Sequence, residues 1–123
     1  MCLSPLKTAQ FFFRKAAVRT AAFSDRDLDV MAVALAQPGA MTAMINWYRA
    51  AMRCPSPNPV RDIDVPTLLI WGEDDVALDK ALTTNLERWV SDLQVHVIPS
   101  CGHWVQNEAS DEVNETLLAF LEQ

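Results

Sequence analysis

Glycine is scarce in this chain: Gly39, Gly72 and Gly102 are the only three in 123 residues, and no two lie close together. That excludes a Gly-x-nucleophile-x-Gly elbow, which stands its central side chain on a strained strand-to-helix turn and needs glycine on either side. Basic residues are outnumbered, 10 against 16 acids, for a formal charge of −6. Nucleic acid is therefore not an expected partner, because phosphate contacts need clustered Lys and Arg. No apolar run approaches the roughly 18–20 residues of a membrane span, so no membrane partner is expected either. Cysteine is limited to Cys2, Cys54 and Cys101, an odd number. Together with His96 and His103 they form no CxxC or HxxxH spacing, so neither a metal site nor any other cofactor is expected. A reduced, cytoplasmic setting is the default for such a cysteine pattern.

What is present is a core-forming composition: half the residues are apolar, enough for one domain at most at this length. Residues 1–24 carry Lys7, Arg14, Lys15 and Arg19 with no acid. This is the composition of a mitochondrial transit peptide, but a helix with its basic residues in solvent is the simpler account. A helix is expected over 8–23. Ser24 with Asp25 and Asp27 then looks like a new helix start, with Phe23 as a hydrophobic staple. That helix runs through Leu28, Met31 and Leu35 and stops at Pro38-Gly39. A third, about 40–53, aligns Met41, Met44, Ile45, Tyr48 and Met52 along one side. Three prolines make 54–59 a loop.

Two apolar runs read as buried parallel strands, 66–71 and 94–98. Between them Leu78, Leu82, Leu86, Trp89 and Val90 suggest a helix over 79–91. A last helix, 110–122, has Ser110 as its expected cap and Val113, Leu117, Phe120 and Leu121 on its buried face. Strand–helix–strand–helix implies a right-handed crossover and two parallel strands. The first strand ends in Gly72-Glu73-Asp74-Asp75 and the second leads to Gly102-His103-Trp104. An acid and a histidine at the carboxyl ends of parallel strands meet where open α/β sheets place their ligands. There a carboxylate orients an imidazole that serves as general base.

From about Ala40 to Gln123 the chain resembles the C-terminal part of an α/β-hydrolase of the epoxide hydrolase branch, related to the haloalkane dehalogenases. The matching segments are Asn46-Trp47-Tyr48-Arg49, then Val65 to Asp75, then Gly102-His103-Trp104-Val105-Gln106 and Glu112-Val113-Asn114. The resemblance implies residues 1–44 as the helical end of a cap and 45–123 as the end of the core, an incomplete α/β fold. It implies Asp75 as the orienting acid, from the pattern Gly-x-x-Asp, with Asp74 as runner-up and Glu73 turned to solvent. It implies His103 as base and Tyr48 as the hydrogen-bond donor to an epoxide oxygen. Trp104, beside the base, is expected to wall a substrate pocket.

Each residue also has a plainer account. The acids cap the segment near Asp79, Tyr48 is a packed aromatic, and His103 is an ordinary loop histidine. Trp47 and Trp71 are assigned to packing and His96 to structure. Cys101 lies too near His103 in sequence to pair with it as a nucleophile. The expected activity is epoxide opening to a diol through an ester, in a fragment that holds acid and base without the nucleophile. The small-molecule substrate is an epoxide or haloalkane. A haloalkane or haloacid dehalogenase fragment, or a non-catalytic remnant that binds or complements a partner, are the alternatives. Two parallel strands alone leave an apolar edge open, so self-association through it is expected.

Overall fold

The computed structural model describes residues 4–53 and 61–123. The proline-rich loop expected at 54–59, with Cys54, lies outside the described residues, as does Cys2. Helices come first: α1 (Pro5–Ala9), α2 (Asp25–Leu35) and α3 (Ala40–Arg53). Two strands follow, β1 (Thr67–Gly72) and β2 (Leu93–Ile98), and then α4 (Val105–Glu108) and α5 (Ser110–Leu121). The strands are parallel, in register from Thr67 opposite Leu93 to Gly72 opposite Ile98. Their carboxyl ends therefore lie side by side, and the two loops that follow them emerge together.

The start of α2 is set by sequence. Ser24 Oγ accepts from the Asp27 N–H at 3.2 Å while the Asp27 carboxylate accepts from the Ser24 N–H at 2.9 Å. This reciprocal box satisfies amides that a helix start leaves bare. Phe23 and Leu28 flank it, both buried and sharing a cluster with Ala17. That is the staple the sequence suggests. At the other end Gly39 adopts φ +82°, a conformation an L side chain resists, and α3 leaves at 79° to α2. No single helix among the described residues is long and apolar enough to cross a membrane.

The structure corrects the expected elements in four places. The helix expected at 8–23 is only α1 and a wide turn, Gln10–Arg14, with a short 3₁₀ turn at Thr20–Ala22. It breaks because the amides of Val18 and Arg19 turn away to the Glu108 carboxylate, 2.8 Å from each. The helix expected at 79–91 is absent apart from the 3₁₀ turn Lys80–Thr83. There Thr83 Oγ1 donates to the Lys80 carbonyl and Thr84 Oγ1 to that of Ala81, at 2.9 and 2.7 Å. Asn85 then enters the left-handed region at φ +56°. Hydroxyls competing for backbone carbonyls are a known reason for helices to fail. Ser110 does not cap α5; Ala109 occupies that position, with no side-chain bond. Trp47 is not packed, with 71% of its surface exposed.

A second cluster, Ile98, Cys101 and Ala109, seals the seam between strands and last helices, with Ile70, Val105 and Val113 against it. Of the rest of the expected buried face of α5, Phe120 is half-buried while Leu117 and Leu121 are exposed, as is Leu118 beside them.

Candidate active site

Gly72 closes β1 where no other residue fits. A Cβ there would collide with the backbone carbonyls of Cys101 and Gly102. That close approach lets the Asp74 N–H donate to the Cys101 carbonyl at 2.9 Å, locking the acid loop onto the histidine loop. Asp75 and His103 meet as a result. His103 Nδ1 lies 2.9 Å from Asp75 Oδ2 and 3.1 Å from Oδ1, with the carboxylate almost fully buried. Because a carboxylate only accepts, the proton of a neutral imidazole sits on Nδ1, and Nε2 carries the lone pair.

Asp75 also does the plainer job. Its Oδ1 accepts from the Ala77 and Leu78 N–H groups at 2.7 and 3.0 Å. Burial pushes its carboxyl up, but the hydrogen bond from His103, with those from Leu78 and Ala77, outweighs that and holds it below the ordinary 3.8. Neither neighbouring acid takes its place: Glu73 pairs with Lys80 at 2.8 Å in solvent, and Asp74 is exposed.

The ring of His103 stands edge-on to Trp104, centroids 5.0 Å apart, and Trp104 packs on Phe13 at 4.7 Å. Trp104 Nε1 donates to the Phe12 carbonyl at 2.8 Å, fixing the indole against the N-terminal segment. His103, Trp104 and Tyr48 all line one cavity of ≈ 350 Å³. Its remaining walls are mostly apolar, from Phe12 and Phe13 on one side to Leu35, Met41, Met44 and Ile45 on the other. Tyr48 reaches it from α3 and is itself 65% exposed. A separate concavity of ≈ 480 Å³, lined by Lys7, Gln10, Phe11 and Lys15, has none of these groups.

Two residues do not join the site. Cys101 is fully buried, and burial with the nearby Glu108 carboxylate pushes its thiol up, which disfavours the reactive thiolate. His96 lies on β2 and meets Glu112 of α5 at 3.0 Å. Among the described residues no three His, Cys, Asp or Glu side chains gather as metal ligands do.

The sequence reading missed Glu108, buried in α4 and bonded to backbone on both sides of His103. Set among Gln106, Asn107, Ser110 and Asp111, Glu108 is not marked out by its neighbours in the sequence. Gly102 serves by its size and not by a left-handed turn. The residue at positive φ in this turn is Ser100, at +51°, while Gly102 supplies space: a Cβ there would lie 2.9 Å from Glu108 Oε1.

Parallel strands carrying an acid and a histidine at adjacent carboxyl ends, under a helical cover, define an α/β-hydrolase arrangement. The pattern of the Alpha/beta hydrolase family matches residues 3–116, and the chain belongs to that family. Its likeness is to the C-terminal part of epoxide-hydrolase-like members. It is 35% identical over 88 residues to Epoxide hydrolase 3 of Xenopus tropicalis, covering 71% of this chain and 24% of that protein. With the AB hydrolase superfamily protein YfhM of Bacillus subtilis it shares 33% over 103 residues, 84% of this chain and 36% of the other. The chain thus spans about a quarter to a third of the length of these relatives. Among solved structures, Cfl2 from Burkholderia cenocepacia superposes with a TM-score of 0.80 at 22% identity, over 94% of this chain and 40% of that one. An inhibitor-bound epoxide hydrolase from Bacillus megaterium gives 0.74 at 23%, over 86% and 40%. At such identities the two structures speak for the fold alone.

Proposed function

We propose that this chain carries the acid–base half of an epoxide-hydrolase-like active site, the nucleophilic carboxylate coming from a part of the fold outside this sequence. The observation that carries the reading is the 2.9 Å contact of His103 Nδ1 with Asp75, beside an apolar cavity that Tyr48 also lines. In this reading residues 1–44 end the cap and 45–123 end the core. The carboxylate attacks an epoxide carbon, the C–O bond breaks toward oxygen, and an ester forms. Tyr48 donates a hydrogen bond from its phenol O–H to the developing alkoxide. His103 Nε2 then takes a proton from water as the water oxygen adds to the ester carbonyl. Asp75 stabilises the imidazolium until collapse of the adduct regenerates the carboxylate and releases the diol, whose two oxygens take the two protons of that water, one of them back from His103. Trp104 and the apolar walls hold the substrate, a small apolar epoxide.

A haloalkane or haloacid dehalogenase would use the same ester chemistry, but halide departure needs no phenolic donor, so Tyr48 at the cavity favours the epoxide. The lack of any Gly-x-nucleophile-x-Gly turn supports a different reading, a non-catalytic remnant that complements a partner. One experiment separates them. The chain alone is expected to show no epoxide turnover above background. A chimera joining the N-terminal portion of a related epoxide hydrolase to this chain is expected to open an apolar epoxide. His103→Ala in the chimera should then cost roughly 10²–10⁴-fold in kcat. Turnover by the isolated chain, or a chimera whose turnover ignores His103→Ala, overturns the mechanism.

A further inference from the structure

We infer that Glu108 is a positioning residue for His103, acting through the backbone of the loop that carries it; this rests on the reading of Asp75 and His103 above. The Glu108 side chain comes from α4 and is buried. Its Oε2 accepts from the N–H groups of Val18, Arg19 and Gly102 at 2.8, 2.8 and 3.1 Å, and its Oε1 from that of Trp104 at 3.3 Å. A carboxylate accepts only, and both oxygens of this one are engaged by backbone donors. Two of them, Gly102 and Trp104, are the immediate neighbours of His103 on either side.

Arg19 completes the hold from the opposite polarity. Its guanidinium donates to the carbonyls of Pro99 and Ser100, both at 3.0 Å, and to that of Glu108 at 3.3 Å. Carbonyls of the loop are thus held by one ion and amides by the other. A peptide pinned at both ends has little freedom to rotate, and that fixes the direction in which the His103 side chain leaves it. The imidazole meets Asp75 at Nδ1, and His103 lines the cavity. Carboxylates that accept several backbone amides are strong, directional anchors, which suits orientation at a distance of one residue. Neither Glu108 nor Arg19 lines the cavity, so Glu108 acts through the loop that carries His103 and not on substrate.

Imidazole NMR on the full, 15N-labelled chain tests this, because its only two histidines give separable signals. His96, held by Glu112 elsewhere, is the internal control. Wild-type neutral His103 is expected as the Nδ1–H tautomer. E108A should keep a dispersed amide spectrum and an unmoved His96, while His103 loses most of its Nδ1–H population. E108Q retains one accepting oxygen and should fall between the two. An E108A protein that folds and keeps the wild-type His103 tautomer overturns the inference and leaves the Asp75–His103 reading standing. If wild-type His103 is not Nδ1–H, that reading fails first and Glu108 has nothing to position. Should E108A unfold, E108Q decides. Loss of the fold in both variants overturns the inference, since Glu108 would then serve stability alone.

Discussion

The loop from Pro99 to Trp104 and the outer face of α5 are separated by only a few residues, yet they are finished to different degrees. In the loop, Cys101 and Gly102 are buried, and the backbone is held by Arg19, Glu108 and Asp74. On α5, Leu118 and Leu121 leave 59% and 69% of their surface to water, and Leu117 leaves 42%. The backbone of the histidine loop is held on both its carbonyls and its amides, while the apolar face of α5 is left uncovered by the described residues. Hydrogen bonds are short and local once the chain is folded, whereas an apolar face needs a whole layer of partners.

The comparison can be broken hardest at Gly72. Gly72→Ala would drive a methyl group into the Cys101 and Gly102 carbonyls, so the two loops must separate. We expect a loss of several kcal/mol, at the upper end of single-substitution effects. Thermal melts check this, and an unchanged midpoint would refute the close-approach argument. The open face is sharpened by a double substitution. The wild-type chain is expected to sediment as a dimer or larger species, burying α5 and the β-strand edges. Leu118→Glu with Leu121→Glu should shift it toward monomer without loss of helix content by circular dichroism. A wild-type chain that sediments as a compact monomer with a sharp transition contradicts this.

The smallest effect is one of pH. Asp75 has a folded-state pKa lowered from 3.8, so its contribution to stability is present above that value and lost as pH falls through the lower folded value. Asp75→Asn removes the contribution. Denaturation curves of the two proteins should therefore differ most at neutral pH and draw together in acid below 3.8. Curves that stay parallel across that window would show that the carboxylate charge is not what the folded state favours.

Legibility from sequence followed the range of the interactions. The Ser24–Asp27 box, the two strands and the acid and histidine after them were readable, because each is written in consecutive residues. So was the apolar side of α3, which does line the cavity through Met41, Met44, Ile45 and Tyr48. The failed helix at 79–91 shows where periodicity misleads: its leucines are helically spaced, but Thr83, Thr84 and Asn85 supply local alternatives to the helical bond. The helix expected at 8–23 broke for a reason no local pattern contains. Its amides were claimed by Glu108, about 90 positions away. Glu108 escaped notice for the same reason, since an acid whose partners are all backbone leaves no complementary residue type to find.

That long span has a consequence for how the molecule is made. The Val18 and Arg19 amides leave the ribosome long before the carboxylate that will receive them, 90 and 89 residues downstream. At synthesis rates of about 5–20 residues per second the wait is on the order of 5–20 s. During it the segment before Phe23 has two unfilled donors and no reason to leave a helical path. The bend seen in the finished molecule is therefore a late event in the life of each chain. The turn that bears His103 takes its final form only as α4 emerges.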